Sequence, residues 1–187
     1  MDFSILICTL EQRSEMLNTL LIELSKQISE TGALDKVEIL TESDRGQITT
    51  GEKRNKLLQR ATGNYIAFVD DDDWIYPYYI SEILKGIESG PDCLAINGIM
   101  TTNGGPPERW EISIKNDYEL RAGIYYRFPN HLTPMKREIA LREYFPALKI
   151  FEDYEWALKL RKQGYLINEV TIEQPLYHYR VNTNKNV

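Results

Sequence analysis

Cysteine is scarce in this sequence, as are histidine, basic charge and long apolar runs. The two cysteines of the 187 residues, Cys8 and Cys93, each lie inside an apolar run (ILICTL, DCLAIN). They read as buried thiols, which argues against a disulfide framework or a cysteine-held metal. No apolar run approaches the ~20 residues that cross a bilayer. The opening MDFSILICTL has neither a basic leader nor a small-residue cleavage site, so a cytoplasmic location is the expectation. Net charge is −6 and the pI about 5.1. That balance argues against broad nucleic-acid binding, although it leaves room for a local basic pocket facing a phosphate. Glycine is missing from TLEQRSE, where a nucleotidyltransferase would carry its phosphate loop.

What is present suits one globular domain: 42% apolar and 27% charged residues, enough for a real core without the composition of a disordered chain. Phe3–Cys8 reads as a buried strand. Leu17, Leu20, Leu21, Leu24 and Ile28 then recur on one face of a helix over 14–30, which Gly32 ends. A second strand covers 37–40. The next helix opens on Thr49-x-x-Glu52, a capping-box spacing, and has Gly63 as its expected C-cap. Tyr65–Val69 is the third strand, Pro77 introduces a third helix, and 93–96 is a fourth strand. Alternation of this kind predicts an α/β fold with a mostly parallel sheet flanked by helices. The polar clusters after the strands would converge on one rim. The second half predicts a smaller mixed region with strands at 110–114 and 124–128, helices at 136–144 and 154–163, and two closing strands at 165–170 and 176–180.

The stretch YIAFVDDDDW, residues 65–74, drives an apolar strand into four aspartates. Adjacent carboxylates repel, so stability does not select them. A solvated acidic turn capping the next helix is one reading, and an oxygen site for Mg²⁺ or Mn²⁺ completed by substrate phosphates is the favoured one. A phospho-aspartyl nucleophile is a third, but Trp74 stands where that pattern wants threonine.

GEKRNKLLQRATGNYIAFVDDDDW resembles the core signature of family 2 glycosyltransferases of the GT-A fold. FSILICTLEQR is similar to the family's opening strand and polar turn, FEDYEWALKLRKQGY to its Glu-Asp helix, and PLYHYRVN to its closing strand. The four blocks follow the family's order over residues 3–182. The resemblance implies a single GT-A catalytic domain over 1–187, with a nucleotide-sugar half (1–100) and an acceptor and catalytic half (101–187). It also implies metal-dependent, inverting transfer of a sugar from a nucleoside diphosphate, UDP by preference, to an acceptor hydroxyl. The rival readings are a nucleotidyltransferase of related fold and a non-catalytic nucleotide- or sugar-binding module.

Site residues follow from the same resemblance. Asp153 is the implied general base, with Glu152 supporting it, and the start of a helix should keep its pKa low through the dipole. Asp72 is the foremost metal ligand, with Asp70, Asp73 and His178 as further candidates; Asp70 also meets the ribose or nucleotide. Thr9, Glu11, Arg13, Glu42, Asp44, Arg54 and Asp71 complete the nucleotide-sugar group. Glu42 and Asp44 compete for the base, because the family's usual acidic run after the second strand is replaced by Thr41-Glu42-Ser43-Asp44. Trp74, Trp156 and His131 are expected at the acceptor or donor sugar. The acceptor itself is open among glycan, lipid-linked sugar, protein, small molecule and modified DNA base.

Overall fold

The computed structural model describes residues 1–183. Strand β1 (Phe3–Leu10) is buried on both faces, and its alternation divides the core in two. Phe3, Ile5 and Ile7 face one apolar cluster, and Leu6 faces the other. Helix α1 (Ser14–Glu30), preceded by a 3-10 turn at Glu11–Arg13, covers the first face with Leu20, Leu24 and Ile28. On the second face lies helix α2 (Thr50–Arg60), with Leu57 and Leu58. The Thr49–Glu52 capping box forms as the spacing predicts.

Strands β2 (Val37–Asp44) and β3 (Tyr65–Phe68) flank β1, both parallel to it. Beyond the aspartates come β4 (Trp74–Ile75), α3 (Tyr79–Ile87), β5 (Cys93–Thr102) and β6 (Glu108–Ile112). Next are β7 (Glu119–Arg121), β8 (Ile124–Arg127), β9 (Met135–Lys136), α4 (Arg137–Ala140), α5 (Glu152–Lys162) and β10 (Glu169–Val181). The sheet runs β2-β1-β3-β9-β5-β6-β8-β7, with β10 joined in parallel to β5 and antiparallel to β4. In register, Leu10 lies opposite Asp44, and the Val69 N–H donates to the Leu6 carbonyl at 3.0 Å. The exits of β1, β2 and β3 therefore open on one rim. No helix among the described residues is long and apolar enough to cross a membrane.

Four local expectations change. The helix expected over 136–144 is a single turn, and 141–151 is irregular. The two closing strands are one, β10, whose register along β5 shifts on either side of Pro175, a residue with no N–H to give the ladder. Asn97 covers the shift by donating Nδ2–H to the carbonyls of Ile172 and Glu173 at 2.9 and 3.1 Å. Strand β5 runs on to Thr102, well past the expected end, because β6 and β10 both pair with its second half. Gly63 is not a left-handed cap. It is glycine because a Cβ there would lie 2.7 Å from the Ser4 backbone nitrogen.

Candidate active site

The four aspartates avoid mutual repulsion by facing different partners. Asp71 is buried and accepts from Thr9 Oγ1 at 2.6 Å and Arg13 Nη1 at 3.0 Å. Arg13 also approaches Asp72 at 3.7 Å. Asp73, also buried, accepts from the Tyr177 hydroxyl at 2.9 Å and the Arg180 N–H at 2.7 Å. The same Tyr177 oxygen accepts the Asp70 N–H at 3.0 Å, so β10 clasps both ends of the turn. Asp70 accepts from Arg54 Nη2 at 3.3 Å and faces His131 Nε2 at 3.2 Å. Burial, and then the neighbouring Asp70 charge, push the Asp73 carboxyl well above the ordinary carboxylate range. Burial also raises Asp70, but His131 and Arg54 outweigh it and hold that carboxyl well below the ordinary range.

His131 joins this turn to the proposed base. Its Nδ1 lies 2.9 Å from Asp153 Oδ2, so one buried imidazole stands between Asp70 and Asp153. The ring is held by its backbone: the His131 carbonyl accepts the Phe68 N–H at 2.9 Å. Asn130 also stiffens the turn, its Oδ1 accepting the Leu132 N–H at 3.0 Å. Burial and Arg54 lower the imidazole pKa, but the two carboxylates prevail and raise it from 6.5 to about 9. Asp153 opens α5 as expected, and although burial raises its pKa, His131 and then Arg54 hold it well below the usual range. The imidazole and the Arg54 guanidinium thus do more here than the Tyr154 N–H at the start of the helix.

Arg54 forms a second bridge. Its Nε donates to Glu152 at 3.0 Å while Nη2 reaches Asp70, and its guanidinium lies 4.8 Å from the Phe68 ring centre. Expected at the donor, Arg54 is instead a buried strut between two acidic elements that are remote in sequence. Its neighbour Asn55 is structural, exchanging hydrogen bonds of 2.8 and 3.0 Å with the Phe145 backbone.

At the β1–β2 exits, the two rivals for the base diverge. Asp44 pairs with the buried Lys53, whose Nζ donates to the Thr9 carbonyl at 2.6 Å. Burial raises Asp44, but Lys53 and the backbone N–H of Ile48 bring its pKa down to about 2. Glu42 faces Lys56 at 3.2 Å and Arg60 at 2.9 Å, on the outer side of α2. Glu11 pairs with Arg45 at 2.6 Å. Lys53 was hidden as one of two adjacent cations, although it shares the inward stripe of Leu57 and Ala61 at helical spacing.

Trp74 and Trp156 separate. Trp156 is core rather than sugar contact: it is 0% exposed, stacked on Phe145 at 4.3 Å and 14°, with its Nε1–H donated to the Glu143 carbonyl at 3.0 Å. Trp74 is 53% exposed and lines a cleft of about 640 Å³ between α1 and the aspartate turn. The Arg180 guanidinium lies 4.3 Å from its ring centre and the edge of His178 packs at 5.3 Å. His178 Nε2 is 2.9 Å from Thr101 Oγ1. As the neighbour of Tyr177 in a strand, it points to the opposite face from the aspartate-binding hydroxyl. Tyr177 and Arg180, which hold Asp73, were missed by sequence reasoning; the strand period separates Tyr177 from His178, while Arg180 reaches Asp73 through its backbone N–H, which no side-chain pattern signals.

The turn fits a hard cation in one specific way. Among the described residues no group of three or more His, Cys, Asp or Glu side chains forms a ready cage. Asp71 and Asp73 are committed to the fold, which leaves Asp72 and Asp70 as the partly exposed oxygen donors. A site with one or two carboxylates suits Mg²⁺ or Mn²⁺ when substrate phosphates supply the remaining ligands.

Comparison with known proteins bears on the fold and the family. EpsH of Bacillus subtilis (strain 168), assigned as a glycosyltransferase by inference, is 27% identical over 146 residues, covering 70% of this chain and 41% of EpsH. TarS 1–349 of S. aureus, solved in complex with UDP-GlcNAc, superposes with a TM-score of 0.69 at 18% identity, over 100% of this chain and 60% of that one. Glucosyl-3-phosphoglycerate synthase from Mycobacterium tuberculosis, solved with Mn²⁺, UDP and glucosyl-3-phosphoglycerate, gives 0.54 at 11% identity, covering 100% of this chain and 72% of that one. The chain thus spans less than half of EpsH and three-fifths of that TarS chain. The architecture is the GT-A fold. The model of the family described as glycosyl transferase family 2 matches residues 23–151, and the chain belongs to that family.

Proposed function

We propose that this protein transfers a sugar from a nucleoside diphosphate, UDP by preference, to an acceptor hydroxyl, with inversion and with Mg²⁺ or Mn²⁺ as cofactor. The observation that carries the reading is the Asp70–His131–Asp153 bridge, which sets the aspartate turn and the Asp153 carboxylate on either side of one imidazole. Residues 1–100 would take the nucleotide-sugar and 101–187 would supply the base and the acceptor side. Support for UDP comes from the donor and product held by the TarS and mycobacterial synthase structures.

In this reading Thr9, Lys53 and Asp44 shape the base end of the donor site, and Arg13 with Asp71 fixes the near side of the turn. A cation held by Asp72 and Asp70 would supply charge neutralisation for the departing diphosphate. Asp153 accepts the proton of the acceptor hydroxyl while that oxygen attacks the anomeric carbon from the face opposite the leaving group. Its low pKa makes it a weak base, so the proton moves late, once the attacking oxygen has become acidic. Arg54 keeps Glu152 and Asp70 in register, which fixes the first turn of α5 against the aspartate turn.

Asp153→Asn keeps the shape of the site and removes its base. We expect release of UDP from a UDP-sugar in the presence of acceptor to fall by about 10²–10⁴-fold, with nucleotide affinity unchanged. Unchanged turnover in this variant would contradict the assignment.

A further inference from the structure

The segment before Asp153 has the opposite character to the site. Within 141–151, Tyr144 is 65% exposed, Leu148 43%, Ile150 55% and Phe151 69%. Exposed apolar side chains scattered singly are ordinary, but a run of them directly before Asp153 in the chain is not.

This exposure is built in. The Leu148 carbonyl accepts the Gly51 N–H at 3.1 Å and the Lys149 carbonyl accepts Thr50 Oγ1 at 3.3 Å, which ties the segment to the first turn of α2. The contact is so close that a Cβ at Gly51 would overlap the Pro146 carbonyl oxygen. Phe151 has φ 68° and ψ 7°, a left-handed conformation that is costly for a bulky residue. It is held there because the next residues are fixed by Glu152–Arg54 and Asp153–His131. The fold therefore spends strain to keep Phe151 outside while Glu152, the next residue, is buried.

Charge selects the occupant. Lys149 lies between Leu148 and Ile150, and Arg142 is exposed on the same segment. Neither has a carboxylate partner among the described residues; Arg142 lies over the Tyr165 ring at 4.8 Å. The adjacent acids, Glu152 and Asp153, are turned inward onto Arg54 and His131. Projecting apolar side chains with Lys149 among them and Arg142 just before them suit a lipid interface, where the apolar groups insert and the cations meet anionic headgroups. Glu143 and Glu155 follow in the same stretch of sequence, so the apolar side chains carry most of the affinity and the charge a smaller share.

We propose that the 144–151 edge docks this protein on an anionic lipid surface, with Leu148, Ile150 and Phe151 inserted and Arg142 and Lys149 at headgroup level. Docking of this kind would bring the start of α5, and Asp153 with it, close to the membrane, so that an acceptor hydroxyl carried on a lipid reaches the base without leaving the surface. That consequence rests on the glycosyltransferase reading, whereas the docking does not.

The test is sedimentation with vesicles of phosphatidylcholine alone and with a quarter phosphatidylglycerol. Ile150→Ser and Phe151→Asn are compared with wild type, with circular dichroism and UDP binding measured on each preparation. Asn accepts the left-handed conformation, so Phe151→Asn removes apolar surface without disturbing the backbone. We expect wild type to sediment with the anionic vesicles, several-fold less with neutral ones, and the double variant to lose about ten-fold or more of its vesicle affinity while it stays folded and keeps UDP binding. Wild type left in the supernatant, equal binding to both vesicles, or variants that sediment like wild type would each overturn the proposal. A wild-type dimer in sedimentation velocity that Phe151→Asn dissolves would also overturn it and assign the edge to a second copy of the chain. Loss of UDP binding in every preparation would instead count against the proposed function.

Discussion

His131 is the residue on which the two halves of the site depend. A group whose folded pKa is raised stabilises the fold fully below its unfolded value, and that contribution disappears as pH rises through the folded value. For His131 the window runs from 6.5 to about 9. The metal-free protein should therefore lose stability to urea progressively across that interval. His131→Asn, which carries no titrating charge, should show a flatter profile there. Identical profiles for the two proteins would mean that the imidazole is not paired as the geometry indicates. At this scale the sequence was informative about identity and poor about direction. Asp70, Asp153 and His131 were each singled out, but nothing in their spacing showed that one imidazole spans the other two. That contact depends on the 130–133 turn meeting the end of β3. Trp156 misled for a related reason: exposure of an aromatic is a property of packing, and a residue one helical turn beyond Asp153 is as readily turned to the core.

Among the elements, the close approach of β5 to β10 carries the site. Tyr177 clasps the aspartate turn from β10, and a Cβ at Gly98 of β5 would lie 2.0 Å from the Tyr177 carbonyl oxygen and 2.6 Å from Trp110 Cζ2. Gly98→Ala should cost about 1–3 kcal/mol through forced separation. It should also weaken metal-dependent nucleotide binding, because the turn loses its clasp. A variant as stable and as tightly binding as wild type would show that the two strands can part without moving the turn. Helix α1 and the capped start of α2 were legible because their signals are local: apolar residues at helical spacing, and a Thr and a Glu three residues apart. The merger of two expected strands into β10 was not legible. Pro175 reads as a break in any single strand, and only the Asn97 side chain bonding the carbonyls before it shows how the strand continues.

For the molecule as a whole, the alternation of strands and helices was enough to place β1, β2 and β3 side by side and their exits on one rim. It could not bring the second half into place, since β9, β4 and β10 reach the rim through antiparallel or long-range pairings that no local pattern encodes. The proposed function also rests on this scale, on a rim that would bind a nucleoside diphosphate through a cation at Asp70 and Asp72. The most direct measurement is calorimetric titration of the wild-type protein and of Asp72→Ala with UDP, with and without Mn²⁺. Binding should require Mn²⁺ and be lost, or weakened by at least ten-fold, in the variant. UDP binding of equal strength with and without the cation, or unchanged by Asp72→Ala, would contradict that proposal.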